Sequence, residues 1–246
     1  MANTLLAGDF LLVNKFIYGA KTPRYFPFTG MRVSNISFPA VIEPRRGDVV
    51  VFESPDKAAG VQPPGIMNYV KRCIGLPGDV IQIVDKAVYV NSTEFPFPDN
   101  ARVDRADVLP GGFKNSEIFP SGSPFNEDNY GPVAVPKIGD TLRLSPNNIR
   151  QWMNLIEREG HIVRYQDGGR IHIDGVATET YRVEKNYYFM MGDNRDNSLD
   201  SRFWGFVSAD LVIGKAMAIY WSWGDSSDFF DRLSSIRWGR IGKFIK

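Results

Sequence analysis

Tyr187-Tyr188-Phe189-Met190-Met191-Gly192-Asp193-Asn194-Arg195-Asp196-Asn197-Ser198-Leu199-Asp200-Ser201-Arg202-Phe203-Trp204-Gly205-Phe206-Val207 is the stretch around which the chain is organised. Its apolar run stops at Gly192. The eleven residues from Gly192 to Arg202 then carry three Asp, two Arg, two Asn and two Ser, and apolar residues resume at Phe203. This pattern predicts a strand, a tightly wired turn and a second strand. Carboxylates and guanidiniums packed this closely can satisfy one another by bidentate pairing. On charge pattern alone, a rigid structural loop and a functional site are equally good readings, because structural ion-pair networks are common.

Working outward, the chain reads as mostly β. Residues 5–16 form a turn between extended segments, and residues 49–52 (Val, Val, Val, Phe) a buried strand. Val80–Val84 and Ala87–Val90 form a hairpin turned at Asp85-Lys86, and residues 162–165 and 170–173 a second one turned at Gly168-Gly169. Residues 21–44 hold Pro23, Pro27, Pro39 and Pro44 among Phe26, Phe28 and Phe38, too broken for a helix. Residues 92–136 are dense in Pro and Gly and read as an irregular excursion. Only residues 139–159 have helical credentials: Ile149, Trp152, Met153 and Ile156 recur at helical spacing between Pro146 and Gly160.

Composition excludes several roles. The chain has 246 residues, 43% of them hydrophobic, enough for one large or two small cores. Its net charge of +1 supplies no field that would draw it to nucleic acid. The single cysteine, Cys73, rules out an internal disulfide and a cysteine-based zinc site, and His161 and His172 are too few for a histidine cluster. No cofactor is called for. No run of 18 apolar residues appears that would cross a bilayer.

The fourteen positions from Gly192 to Gly205 resemble the signature of bacterial type I signal peptidases, the membrane-bound Ser-Lys serine proteases that remove signal peptides from exported proteins. Arg46-Gly47-Asp48-Val49-Val50-Val51-Phe52, residues 69–79 (with Tyr69-Val70-Lys71-Arg72-Cys73 at their start) and two segments within residues 3–19 agree with that family. The resemblance spans residues 1–91 and about 170–246. It implies an antiparallel β core made of residues 1–91 and 171–246, with residues 92–170 inserted as a smaller domain containing one helix. It also implies a catalytic domain on the extracytoplasmic side of the bacterial cytoplasmic membrane, acting on the signal peptides of exported preproteins.

By the same resemblance, Lys71 is the general base and Ser198 the hydroxyl that orients it. Asp193, Arg195, Asp200 and Arg202 brace the site, and Met1, Leu5, Leu11, Val51, Tyr69 and Val70 line shallow apolar pockets for small residues at the first and third positions before the cleaved bond. A lysine accepts a proton only when neutral, and lowering its pKa from about 10.4 to about 8 costs roughly 3 kcal/mol of differential desolvation or charge repulsion. Without the resemblance, Lys71 beside Arg72 reads as surface charge. Cys73 is expected to point away from Lys71 and to act as a small apolar side chain.

The family's nucleophile is the last residue of Pro-Ser-Gly-Ser, directly before a Met that here is Met1, so the resemblance places the catalytic serine just ahead of this chain. Pro120-Ser121-Gly122-Ser123 spells the same tetrapeptide. It is followed by Pro124 and lies after Lys71, so Ser123 is read as a decoy in ordinary loop chemistry. Three alternatives follow: a truncated homologue, a pseudoprotease that binds signal peptides without cutting, and a self-cleaving repressor-type Ser-Lys protease. The last is disfavoured by the Trp-rich end and the lack of a DNA-binding segment. That end, with Trp221, Trp223 and Trp238 among Arg237, Arg240 and Lys243, suits a membrane lipid interface, and equally a tail packed on the body.

Overall fold

A computed structural model describes residues 1, 4–19, 40–55, 67–165, 169–224 and 234–245. The readings of Phe26, Phe28, Phe38 and Gly168 fall outside these residues. In chain order the strands are β1 (Asp9–Asn14), β2 (Val49–Glu53), β3 (Asn68–Gly75), β4 (Val80–Val84), β5 (Ala87–Val90), β6 (Thr93–Phe95), β7 (Tyr130–Ala134), β8 (Thr141–Arg143), β9 (Val163–Tyr165), β10 (Ile171–Ile173), β11 (Val176–Ala177), β12 (Thr180–Arg182), β13 (Tyr187–Met191), β14 (Val207–Ser208) and β15 (Val212–Ser222). Among the described residues the α-helices are α1 (Ile149–Arg158) and the single turn α2 (Ser201–Trp204). The chain is mostly β, as its sequence implies.

The main sheet is antiparallel, in the order β1-β15-β2-β3-β13-β14. β2 lies inside it, and its four leading apolar residues are all buried because both faces are covered. The register pairs Val49 with Arg72, Val50 with Lys71, Val51 with Val70 and Phe52 with Tyr69. Side chains of cross-strand partners share a face, so alternate pairs separate two apolar layers. Val50, Phe52 and Cys73 join Tyr188, Met190 and Val207 in one of them. Val49 and Val51 join Ala216 in the other.

β6-β5-β4-β7 forms a second sheet. Its β4–β5 hairpin turns at Asp85 and Lys86, both at positive φ (47° and 67°), the backbone that a tight two-residue turn requires. Residues 139–159 are helical only from Ile149. Before it, Thr141–Arg143 pairs with Thr180–Arg182, so a tertiary ladder claims residues whose local pattern had favoured helix. Ile149, Leu155 and Ile156 are the buried side of α1, and Gly160, at φ 104°, follows its end.

The excursion over residues 92–136 contributes β6 and β7 and docks on the stretch after β13. Arg102 N–H donates to the Asp193 carbonyl (2.7 Å), Arg195 N–H to the Arg102 carbonyl (2.9 Å), and Asp104 N–H to Asp196 Oδ2 (2.7 Å). After β13 the second strand begins at Val207, not at Phe203. The Asp200 carboxylate accepts from Arg202 N–H and starts α2, which carries Phe203 and Trp204 round a helical turn.

Candidate active site

Lys71 projects from β3 on the face it shares with Tyr69 and is 9% exposed. Its Nζ donates to Ser198 Oγ at 2.9 Å, bringing together two residues 127 positions apart. The approach depends on Gly192: a Cβ there would fall 2.1 Å from Ser198 Oγ and 3.4 Å from Lys71 Nζ. The Trp204 ring lies 5.9 Å from Nζ and packs on Tyr69 at 5.1 Å, closing the apolar side of the pair.

Burial is the main cause that lowers the Lys71 pKa below the ordinary lysine value. Asp200 and Asp193 oppose it and Arg202 adds to it. Both carboxylates are already neutralised. Arg72 donates to Asp193 through Nε and NH2 (2.8 Å each), and Thr4 Oγ1 donates to the same group (2.5 Å). Arg202 holds Asp200 in the same bidentate way, at 2.9 Å for each bond. Burial pushes both carboxyl groups up, but these guanidinium bonds outweigh it and keep both below the usual carboxylate range. Paired in this way, they oppose the effect of burial on Lys71 without reversing it.

Two of the three carboxylates of the loop, Asp193 and Asp196, therefore take their cations from outside it, and only Asp200 pairs within it, with Arg202. Asp196 takes Lys86 at 2.8 Å. Arg195 is 4% exposed, and its Nε and NH1 make no hydrogen bond. Its guanidinium stacks over the Phe97 ring at 5.0 Å, and burial followed by the Arg202 charge pushes it down to about 10, so it stays charged at neutral pH.

Met1, Leu5, Leu11 and Val70 pack against Val49, Val51 and Ala216, so five of the six residues matched to the substrate pockets converge on one face of β2 and β3. Tyr69 sits on the other face, against Phe52 and Trp204. Burial, followed by the Lys71 charge, lowers the pKa of the Met1 amine, and Asp193 and Asp200 oppose them. Ser123 Oγ is buried and makes no hydrogen bond, so nothing couples it to Lys71.

Cys73 corrects an expectation. Residues i and i+2 of a strand share a face, so it lies on the same side as Lys71 and not opposite to it. It is fully buried in the core there, with its thiol pushed up by burial, and is unreactive as expected of a small apolar side chain.

Sequence reasoning missed Arg72, Thr4, Trp204 and Phe97. Arg72 was the legible one: an odd carboxylate in the loop needs a cation from elsewhere, and Arg72 adjoins Lys71. Phe97 carried no signal, since its partner is 98 positions away.

The chain matches the family described as signal peptidase, peptidase S26, over residues 1–221, including the middle segment that the motifs had left out. It is similar to the signal peptidase I of Buchnera aphidicola subsp. Schizaphis graminum, 33% identical over 98% of this chain and 71% of that one. It is also similar to the signal peptidase I of Pseudomonas aeruginosa, 32% identical over 92% of this chain and 63% of that one. The chain thus spans about two thirds of the length of these relatives. A crystal structure of a signal peptidase I from Enterococcus faecalis aligns with 72% of this chain and 98% of that one at a TM-score of 0.30 and 20% identity, too low to bear on the site.

Proposed function

Because the chain belongs to the peptidase S26 family of signal peptidases, we propose that it is built to hydrolyse the signal peptides of exported preproteins, with Lys71 as general base and Ser198 as the group that orients it. The observation that carries this reading is the 2.9 Å contact between Lys71 Nζ and Ser198 Oγ in a site where burial favours the neutral amine. We place the nucleophilic serine directly ahead of Met1, which packs against the cluster of Val49, Val51 and Val70 on β2 and β3, the latter carrying Lys71. Its hydroxyl proton passes to Nζ as the oxygen attacks the scissile carbonyl. The ammonium then returns the proton to the leaving amine, and water repeats the sequence on the acyl-enzyme.

The sheet offers a place for the peptide. β13 pairs with β3 only at Arg72, Cys73 and Gly75, so among the described residues no strand occupies that edge over residues 68–71. An extended peptide added there sends alternate side chains towards Val51 and Val70, which suits a requirement for small residues at the first and third positions before the cut. Lipid contact belongs to the far edge, where Phe10 packs on Tyr220 (6.0 Å) and Trp223 (5.3 Å), and Trp221 meets Trp238 (6.2 Å). Tyr220 is 57% and Trp238 71% exposed, and aromatic residues of this kind seat at bilayer interfaces. Among the described residues no helix is long and apolar enough to cross a membrane.

The test joins a Pro-Ser-Gly-Ser segment ahead of Met1 and follows preprotein cleavage. We expect cleavage that Lys71→Met reduces by about 10²–10⁴-fold, the usual contribution of a general base, with the fold retained. The 246-residue chain without that segment should not cleave, with or without Ser123→Ala. Unreduced cleavage in Lys71→Met would remove the lysine from the mechanism.

A further inference from the structure

Resting on the reading above, a peptide added along residues 68–71 of β3 must leave that edge at Arg72, where Met191 of β13 takes over the pairing. The largest cavity described beside β3, ≈ 570 Å³, opens at that point, lined by Arg72, residues 95–100, Lys243 and Phe244. Arg72 pairs with Val49, so the cavity opens on the same face as the apolar cluster that holds Val51 and Val70.

The two spaces share a wall. Residues 242–245 pair with β15: Gly242 N–H donates to the Ile219 carbonyl (2.8 Å), Ile219 N–H to that of Lys243 (3.0 Å), and Ile245 N–H to that of Met217 (2.9 Å). Of these residues, Ile245 packs against the apolar cluster while Phe244 lines the cavity.

The lining fixes the chemistry of the occupant. Phe95, Phe97 and Phe244 supply apolar walls, and the guanidiniums of Arg105 (4.9 Å) and Arg195 (5.0 Å) both lie over the Phe97 ring, so the wall is preorganised. Pro96 and Pro98 have no N–H to donate, so this segment cannot extend a strand ladder and reads side chains instead. Asp99 and Lys243 offer opposite charges, which gives no preference for a charged occupant. For a peptide running parallel to β3, the residues before the cut lie along residues 68–71 and those after it run on past Arg72, where the cavity lies.

We infer that this cavity receives the first residues after the cleaved bond, seating an apolar side chain of the mature segment against Phe97 and Phe244. The test measures binding of two fluorescent peptides to the 246-residue protein. One ends at the residue before the cut, and the other continues for about six residues, each spanning about 3.3–3.6 Å, with a leucine at the third. The longer peptide should bind about tenfold more tightly, an increment of about 1.4 kcal/mol.

Phe244→Glu, at a 71% exposed position, should abolish that increment while leaving the shorter peptide's affinity unchanged, and Asn100→Trp, which fills the cavity from an exposed position, should do the same. Equal affinities for the two peptides would overturn this inference alone, as would an increment that survives both variants. If Phe244→Glu weakens binding to anionic lipid vesicles and leaves the increment intact, the cavity serves lipid and the inference falls. If neither peptide binds, the signal-peptide reading falls first and takes this one with it.

Discussion

Gly192 shows how much of the site rests on a missing side chain. It ends the apolar run of β13, and the loop returns so closely that Ser198 Oγ occupies the space a Cβ would need. Gly192→Ala should therefore push Ser198 off Lys71, costing about 1–3 kcal/mol of stability from overpacking and about 10²-fold or more in cleavage by the serine-bearing chain. A thermal melt paired with the cleavage assay checks this, and full activity in the variant would show that the close approach is dispensable. At this scale the sequence was informative where local rules suffice. Motif positions single out Lys71 and Ser198, which the fold brings within 2.9 Å of each other, whereas the pairing of Val51 with Val70 follows from the β2–β3 register. The sequence was silent where a partner comes from far away, as with Phe97 under Arg195 and Thr4 on Asp193.

Elements followed their local chemistry when no distant strand competed for them. The β4–β5 hairpin lies where its turn residues put it, whereas residues 141–143 left a helical pattern to pair with β12. The β9–β10 hairpin carries a feature that the histidine count had dismissed. His161 bonds Asp174 Oδ2 through Nδ1 (2.6 Å) and Glu184 Oε1 through Nε2 (3.1 Å), with its ring edge-on to Tyr181. The bond to Asp174 is the main cause that raises the His161 pKa above the ordinary histidine value; burial opposes it, and Glu184 adds to the rise.

A raised native pKa binds the proton more tightly in the folded state. The stabilisation is thus complete below the ordinary histidine value of about 6.5 and is lost as pH rises through the raised one. Melting temperature should fall by about 2–4 °C or less over that window, and His161→Gln should flatten the dependence. A wild-type profile as flat as that of the variant would contradict the assignment.

Over the whole molecule, the predominance of β structure was plain from short β-branched runs and turn residues, but the relation between the catalytic stretch and the excursion was not. One core cluster combines Ile81 and Val88 with Tyr130, Leu144 and Ile156 and with Tyr187 and Phe189, so strands from both sides of residue 92 bury one another. The division into a discontinuous core and an inserted unit over residues 92–170 is therefore, in our proposal, one of chain order around a shared interior. Such sharing depends on long-range packing, which no local pattern encodes. Its consequence is felt at a single amine, because the excursion clamps Arg195 and donates to Asp193 while β3 and α2 enclose Lys71. The ionisation of Lys71 reports on all of them together. An NMR titration of the Lys71 side chain in the folded 246-residue protein, assigned with Lys71→Met, should show it losing its proton well below the lysine value of about 10.4, and a midpoint at or above that value would contradict the account.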